Sequence, residues 1–311
     1  HRILTDYRRD ILDKEIINWL LEGPAWLRYA VELQLLERKP DVTPVLRDDA
    51  MKKLITRLRD DQAGIPALKS GRVHYTDPGK AYWDLYFLAD IGLTVDDLGL
   101  QDEAEAVFRF QAPDGTLTIP PNVKPDYFCM SAILIAPLAR MGYRDDPRVE
   151  KYIRAAMKTL GKSGWDCYGG GIMGSDSCPM DDQNILMLLG QYEKYKNNPG
   201  LDGAIDVLLE HWATGSNIYG FGVGQRFRSL QYPAVKYGIL RVLDVLSLFP
   251  YAVARPGFRG MLDFVRGKAG DGRYYAEMTD GAYAGFDFGQ QAEPSRWLTF
   301  LVNRIEKRAA R

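Results

Sequence analysis

Cysteine and histidine are scarce in this chain: three of each in 311 residues. Three scattered histidines are too few for a zinc hydrolase built on imidazole ligands. An odd cysteine count with no close pairing argues against a secreted disulfide scaffold, so the expected location is the cytoplasm. Net charge is nearly absent, at −1, which argues against a nucleic-acid binder relying on phosphate contacts. No run of about 18 apolar residues occurs, so no spanning helix is expected. The opening residues, His1-Arg-Ile-Leu-Thr5, show no signal-peptide pattern. Linkers rich in Pro, Ser or charge are also missing, and residues 1–311 are read as a single domain. A Gly-x-Ser-x-Gly elbow is lacking. Gly220-Phe-Gly-Val-Gly224 has neither the preceding strand nor the downstream acid of a nucleotide loop.

What is present is a long-period repeat. An amphipathic helix runs into a Gly-rich, aromatic-rich loop, and a more uniformly apolar helix follows. The second helices open near Tyr82, Asp126, Met180, Tyr232 and Pro294, roughly 45–60 residues apart. The pairs read as 11–21 with 24–38, 44–60 with 79–91, 96–110 with 126–141, 146–160 with 180–195, 200–213 with 232–248, and 256–267 with 294–308. Asp146-Pro147 supplies an N-cap and N1 pair. Val149, Ile153, Ala156, Met157 and Leu160 follow the helical period. Ile185-Leu-Met-Leu-Leu189 is apolar on nearly every side, which means burial all round. Tyr274 to Ala276 and Phe286 to Phe288 could form short strands. First helices with one apolar stripe and second helices apolar all round predict an all-α fold, an α/α toroid with an outer and an inner ring.

The loops carry related signatures: Gln111-Ala-Pro-Asp-Gly-Thr116, Lys162-Ser-Gly-Trp165 and Ala269-Gly-Asp-Gly-Arg-Tyr274. The first resembles the Gln-Trp motif of squalene–hopene cyclases, and the others resemble degenerate copies. Trp19-Leu-Leu-Glu-Gly23, Tyr232-Pro233 with Tyr237, and Pro294-Ser-Arg-Trp297 extend the likeness over most of the chain. The chain thus resembles the terpene cyclase and protein prenyltransferase-like (α/α)6 toroid superfamily, in its squalene cyclase-like single-domain branch. In physical terms the turn motif clamps helices, with Gly taking positive φ and the aromatic packing on the next repeat.

In a closed ring the amino ends of the inner helices share one rim. Arg28, Trp83, Tyr127, Tyr232, Lys236, Arg296 and Trp297 are the candidate ligand-binding residues there, and aromatic faces could stabilise a cation. Asp181 and Asp182 are the candidate catalytic acids. Pro179-Met-Asp-Asp182 opens an inner helix but lacks the first Asp of the Asp-x-Asp-Asp found in the cyclases it resembles. Both acids also read as first-turn residues complementing a helix dipole. Asp48-Asp49 and Asp96-Asp97 lie on outer helices and supply no magnesium motif.

Cys129, Cys167 and Cys178 fall near the same rim on adjacent repeats and are the candidate zinc ligands. An Asp, His74, water or substrate would hold the fourth position. Buried inert thiols, or a Cys167–Cys178 disulfide, are the alternatives. His211, beside Trp212, reads as structural. Arg304, Lys307, Arg308 and Arg311 read as a solvated helix tail. The expected partner is an apolar, isoprenoid-like small molecule. If the protein is an enzyme, a terpene cyclase-like or prenyltransferase-like one is expected. An α/α-barrel carbohydrate hydrolase or lyase, or a non-catalytic binding toroid, is the alternative.

Overall fold

The computed structural model describes residues 14–119, 128–166, 179–214, 225–235 and 238–311. Among them regular structure is helical, and β-type pairing consists of isolated bridges. No helix among the described residues is long and apolar enough to cross a membrane. The longer helices fall into pairs: α1 (14–21) with α2 (Ala25–Ala30), α3 (Asp49–Leu58) with α4 (Ala81–Ile91), and α5 (Gln101–Phe108) with α6 (Phe128–Leu138). The series continues with α7 (Pro147–Lys158) and α8 (Met180–Leu189), α9 (Asp202–Thr214) and α10 (Ile239–Leu246), and α11 (Pro256–Arg266) and α12 (Arg296–Ala309).

Helix boundaries follow the caps. Asp146 accepts from the Arg148 amide at 2.8 Å, with Pro147 opening α7. Asp48 accepts from the amides of Ala50 and Met51, so the stretch 44–60 is a turn at Thr43–Arg47 followed by a newly capped α3. Thr94 and Asp97 form a capping box whose short helix ends at Gly99, dividing the stretch 96–110 in the same way. The inner helix placed at 232–248 begins only at Ile239, preceded by Gly238 in extended backbone. The segments suggested as short strands are not strands: Tyr274 makes one isolated bridge to Ser295, and Gly281–Tyr283 and Asp287–Gly289 are 3-10 turns.

The contrast between first and second helices is strong. Every residue of α4, α6, α8 and α10 is buried. In α3 the buried set is Met51, Leu54 and Leu58, and in α11 it is Phe258, Met261, Leu262 and Val265, each a single stripe at helical spacing. The second helices touch in chain order. α2 packs on α4, α4 on α6, α6 on α8, α8 on α10 and α10 on α12, and α12 returns to Val31–Leu35, the turn that continues α2. The first helices pack against this series, α3 on α4, α9 on α8, and α11 on α10. The buried apolar residues form one cluster reaching from Ile16 to Ile305.

The related loops fold alike. Gln111 pairs with Leu117, Gly161 with Gly164, and Gly270 with Arg273, each at a positive-φ glycine (Gly115, Gly164, Gly272). Each turn is tied to a neighbouring helix. The Gln111 amide donates to the carbonyls of Gly115 and Arg148, at 3.0 and 2.8 Å, joining its own turn to the start of α7. The Trp165 amide donates to Asp182 Oδ1 at 2.9 Å, and its indole to the Ala156 carbonyl at 2.8 Å. The Tyr274 amide donates to Thr299 Oγ1 on α12 at 3.1 Å. The Gln111 turn thus clamps its pair to the next, while the Trp165 and Tyr274 turns fasten to helices of their own pairs.

Candidate functional site at the amino ends of the second helices

Trp83, Tyr232, Trp297, Asp181 and Asp182 are all buried. The aromatic ones form a chain of edge and tilted contacts. Trp83 meets Tyr86 at 5.4 Å between ring centroids, Tyr86 meets Tyr232 at 6.0 Å, and Tyr232 meets Trp297 at 5.4 Å. Trp297 also packs on Trp26, Phe87 and Phe300, so it is a core residue as much as a site residue. The Trp83 indole donates to the Tyr75 carbonyl. Asp182 is occupied by the Trp165 turn.

Arg28 and Arg296 do not join this group. Arg28 is exposed and donates to the Gly23 carbonyl at 3.1 Å. Arg296 turns toward α1, donating to the Trp19 carbonyl at 3.0 Å and lying 4.7 Å from the Trp19 ring centroid. Both side chains thus fasten the chain around the end of α1. Tyr127, Lys236, Cys167 and Cys178 lie outside the described residues. Cys129 is buried in the first turn of α6, and its carbonyl accepts from Asn184 Nδ2 at 2.7 Å. Among the described residues no group of three His, Cys, Asp or Glu side chains is arranged to hold a metal. His211 is buried against Phe227, and burial lowers it to about 4, so it is neutral near pH 7, in keeping with a structural role.

A residue not expected from the sequence sits at the middle of the aromatic chain. Arg241, buried in α10, holds its guanidinium carbon 4.9 Å from the Trp83 ring centroid and 5.6 Å from that of Tyr86. It also donates to Asn184 Oδ1 on α8. Two charged side chains, Arg241 and Asp244, in an otherwise apolar helix are the sequence signal that pointed here. Close by, the Tyr82 hydroxyl and the Gln183 amide are buried with no hydrogen-bond partner among the described residues. They stand in the first turns of α4 and α8.

Below Tyr232 lies an ionic network. Asp90 accepts from the Tyr232 hydroxyl at 3.0 Å and from Arg140 at 2.9 Å, and it pairs with Arg304 at 2.7 Å. Asp244 pairs with Arg304 at 2.8 Å and Arg308 at 2.9 Å. Arg304 is only 2% exposed, which corrects its reading as part of a solvated tail. Burial opposes the charge on Asp244, but Arg304, Arg308 and Arg140 together hold it below the ordinary aspartate value. An aspartate with a lowered folded pKa stabilises the fold above its unfolded value, about 3.9, and that stabilisation fades as pH falls through the lower folded value. Thermal stability is therefore expected to drop in acid below about pH 4. The acid-dependent part of the drop should be smaller in Asp244→Asn, as measured by melting the two proteins between pH 2 and 7 in parallel.

Above Tyr232 a cleft of about 240 Å³ opens. Tyr232, Pro78, Pro233, Val235 and Met278 form its apolar part, and Arg226 and Asp280 lie at its edge. Tyr232 thus faces the cleft on one side and the buried Asp90 on the other.

No family profile matches this sequence, and none of the curated proteins compared with it matches. Among solved structures, a protein from Actinoplanes is similar over 92% of this chain and 90% of its own, with 12% identity and a TM-score of 0.42. That is too distant a likeness to carry an argument about fold or function.

Proposed function

We propose that the helix pairs close into an α/α toroid of the terpene cyclase and prenyltransferase-like kind, and that the protein binds an apolar, isoprenoid-type molecule at one rim. Support for closure comes from the second helices, whose contacts run in chain order and return to the first pair. The observation that carries the ligand reading is the cleft over Tyr232, with its floor of Pro78, Pro233, Val235 and Met278. Its volume lies under the roughly 300–1,000 Å³ typical of small-molecule sites, so it suits a short chain or one end of a long one.

Binding fits the arrangement better than cyclisation. A carbocation mechanism needs open aromatic faces, and those of Trp83 and Tyr86 already hold Arg241. Asp182 is engaged by Trp165, and the acid candidates stay Asp181 and Asp182. A carbohydrate enzyme needs two facing carboxylates, and Asp280 is the one carboxylate among the described residues of the cleft. A zinc ion on Cys129, Cys167 and Cys178 belongs to the same proposal. A cytoplasmic location accords with it.

The test is native mass spectrometry with farnesol as the probe, together with elemental analysis. One farnesol per chain is expected, with affinity at least about tenfold weaker in Met278→Trp, which fills the cleft. Equal binding by both proteins, or none by either, would reject the ligand reading. Absence of zinc after purification without chelator and with added zinc would reject the metal.

A further inference from the structure

A second and larger cleft, of about 770 Å³, lies away from the rim between α11, the Pro250–Val253 turn and the last turns of α12. It shares no described lining residue with the cleft over Tyr232. Leu248, Val253, Phe258 and Leu262 make an apolar wall, and Arg308 with Ser247 closes the inner end. Its size falls within the range of roughly 300–1,000 Å³ that small-molecule sites occupy.

The charge at the inner end is unbalanced. Arg140, Arg304 and Arg308 face Asp90 and Asp244, which leaves one positive charge in excess in a largely buried network. Arg308 is its member that opens to this cleft, with 21% of its side chain exposed. Burial together with repulsion from Arg304 and Arg140 lowers Arg308 to about 10, against the attraction of Asp244. An anion beside it would relieve that repulsion. Arg259, on α11 at the same cleft, forms no ion pair among the described residues and donates to the Ala254 carbonyl at 2.8 Å. Glu306 is the one carboxylate among the described lining residues, and Arg266 already engages it at 2.6 Å. The cleft therefore joins an apolar wall to a cationic end whose charge the protein does not neutralise.

We propose that this cleft binds a single-chain amphiphile with a carboxylate head, of the fatty-acid class. The carboxylate would lie between Arg308 and Arg259, and the chain along Phe258, Leu262 and Leu248. Guanidinium groups match a carboxylate through paired hydrogen bonds, and burial of the chain supplies the rest of the affinity.

Isothermal titration of the purified protein with dodecanoate below its micelle concentration tests this, with dodecanol and acetate as comparisons. One dodecanoate per chain is expected, dodecanol at least about tenfold weaker, and acetate without measurable heat. Arg308 is part of the buried network, and its loss could unfold the chain, so the variants are Arg259→Glu and Leu262→Trp. Each should weaken dodecanoate by about tenfold or more while leaving the far-ultraviolet spectrum unchanged. Met278→Trp, in the rim cleft, should leave it unaltered. Equal binding of acid and alcohol would overturn the anionic head. Indifference to both cleft variants, or loss in Met278→Trp, would overturn the location.

Discussion

Asp90→Ala is expected to destabilise the protein by about 3–5 kcal/mol, the range seen when one partner of a buried charge network is removed. Asp90 is 1% exposed and touches Arg140, Arg304 and the Tyr232 hydroxyl. Without it, three arginines would face Asp244 alone, and the hydroxyl of a buried tyrosine would lose its acceptor. The alanine also leaves a space between α4 and α12 that the surrounding aromatic rings are too rigid to fill. Arg140→Met is the matched control. Its side chain is 22% exposed, and the network keeps its two aspartates and Arg304, so a loss of about 1 kcal/mol or less is expected. Urea denaturation of the three proteins measures the difference. An Asp90→Ala variant as stable as Arg140→Met would mean that the buried ions contribute little beyond filling volume.

Gly164→Ala is the second large effect, expected at about 2–5 kcal/mol. Gly164 has φ +91°, a conformation that costs an ordinary residue roughly 1–2 kcal/mol. A Cβ there would stand 2.0 Å from Asp182 Oδ1, far inside contact distance. Asp182 would have to withdraw from the Trp165 amide, and orphaning a buried donor costs about 1–3 kcal/mol more. Gly142→Ala separates the two contributions. Gly142 has φ +118° but nothing within 4 Å of its would-be Cβ, so it should suffer the backbone cost alone. Equal losses at both positions would show that the Asp182 clamp contributes nothing to the stability of the turn.

Several features were legible before any coordinates, each for a local reason. The apolar stripe of α7 and the Asp146-Pro147 start come from helical periodicity and cap chemistry, which act within a few residues. The all-round apolar character of residues 185–189 announced their burial. The related Gly-containing loops announced related turns, because positive φ is a demand that Gly meets by itself. Two caps were nonetheless missed: Asp48 and the Thr94–Asp97 box lie inside stretches whose apolar period continues across them, so periodicity hid the breaks.

The charged interior was not legible. Arg304 follows the period of an amphipathic helix end and reads as solvated, yet its partners Asp90 and Asp244 lie on two other helices. Arg241 meets Trp83 and Asn184 in the same way, across helices far apart in the chain. The partners of Arg28 and Arg296 were not legible either: they bind the Gly23 carbonyl and the Trp19 carbonyl and ring. By itself the sequence determined which segments are helical, which faces are apolar and where the Gly turns fall, because those depend on neighbours within a turn or two. Only the tertiary structure decided which charges are buried, which partners neutralise them and which cleft is left with an unmatched cation, because pairing across distant helices leaves no periodic trace in the chain.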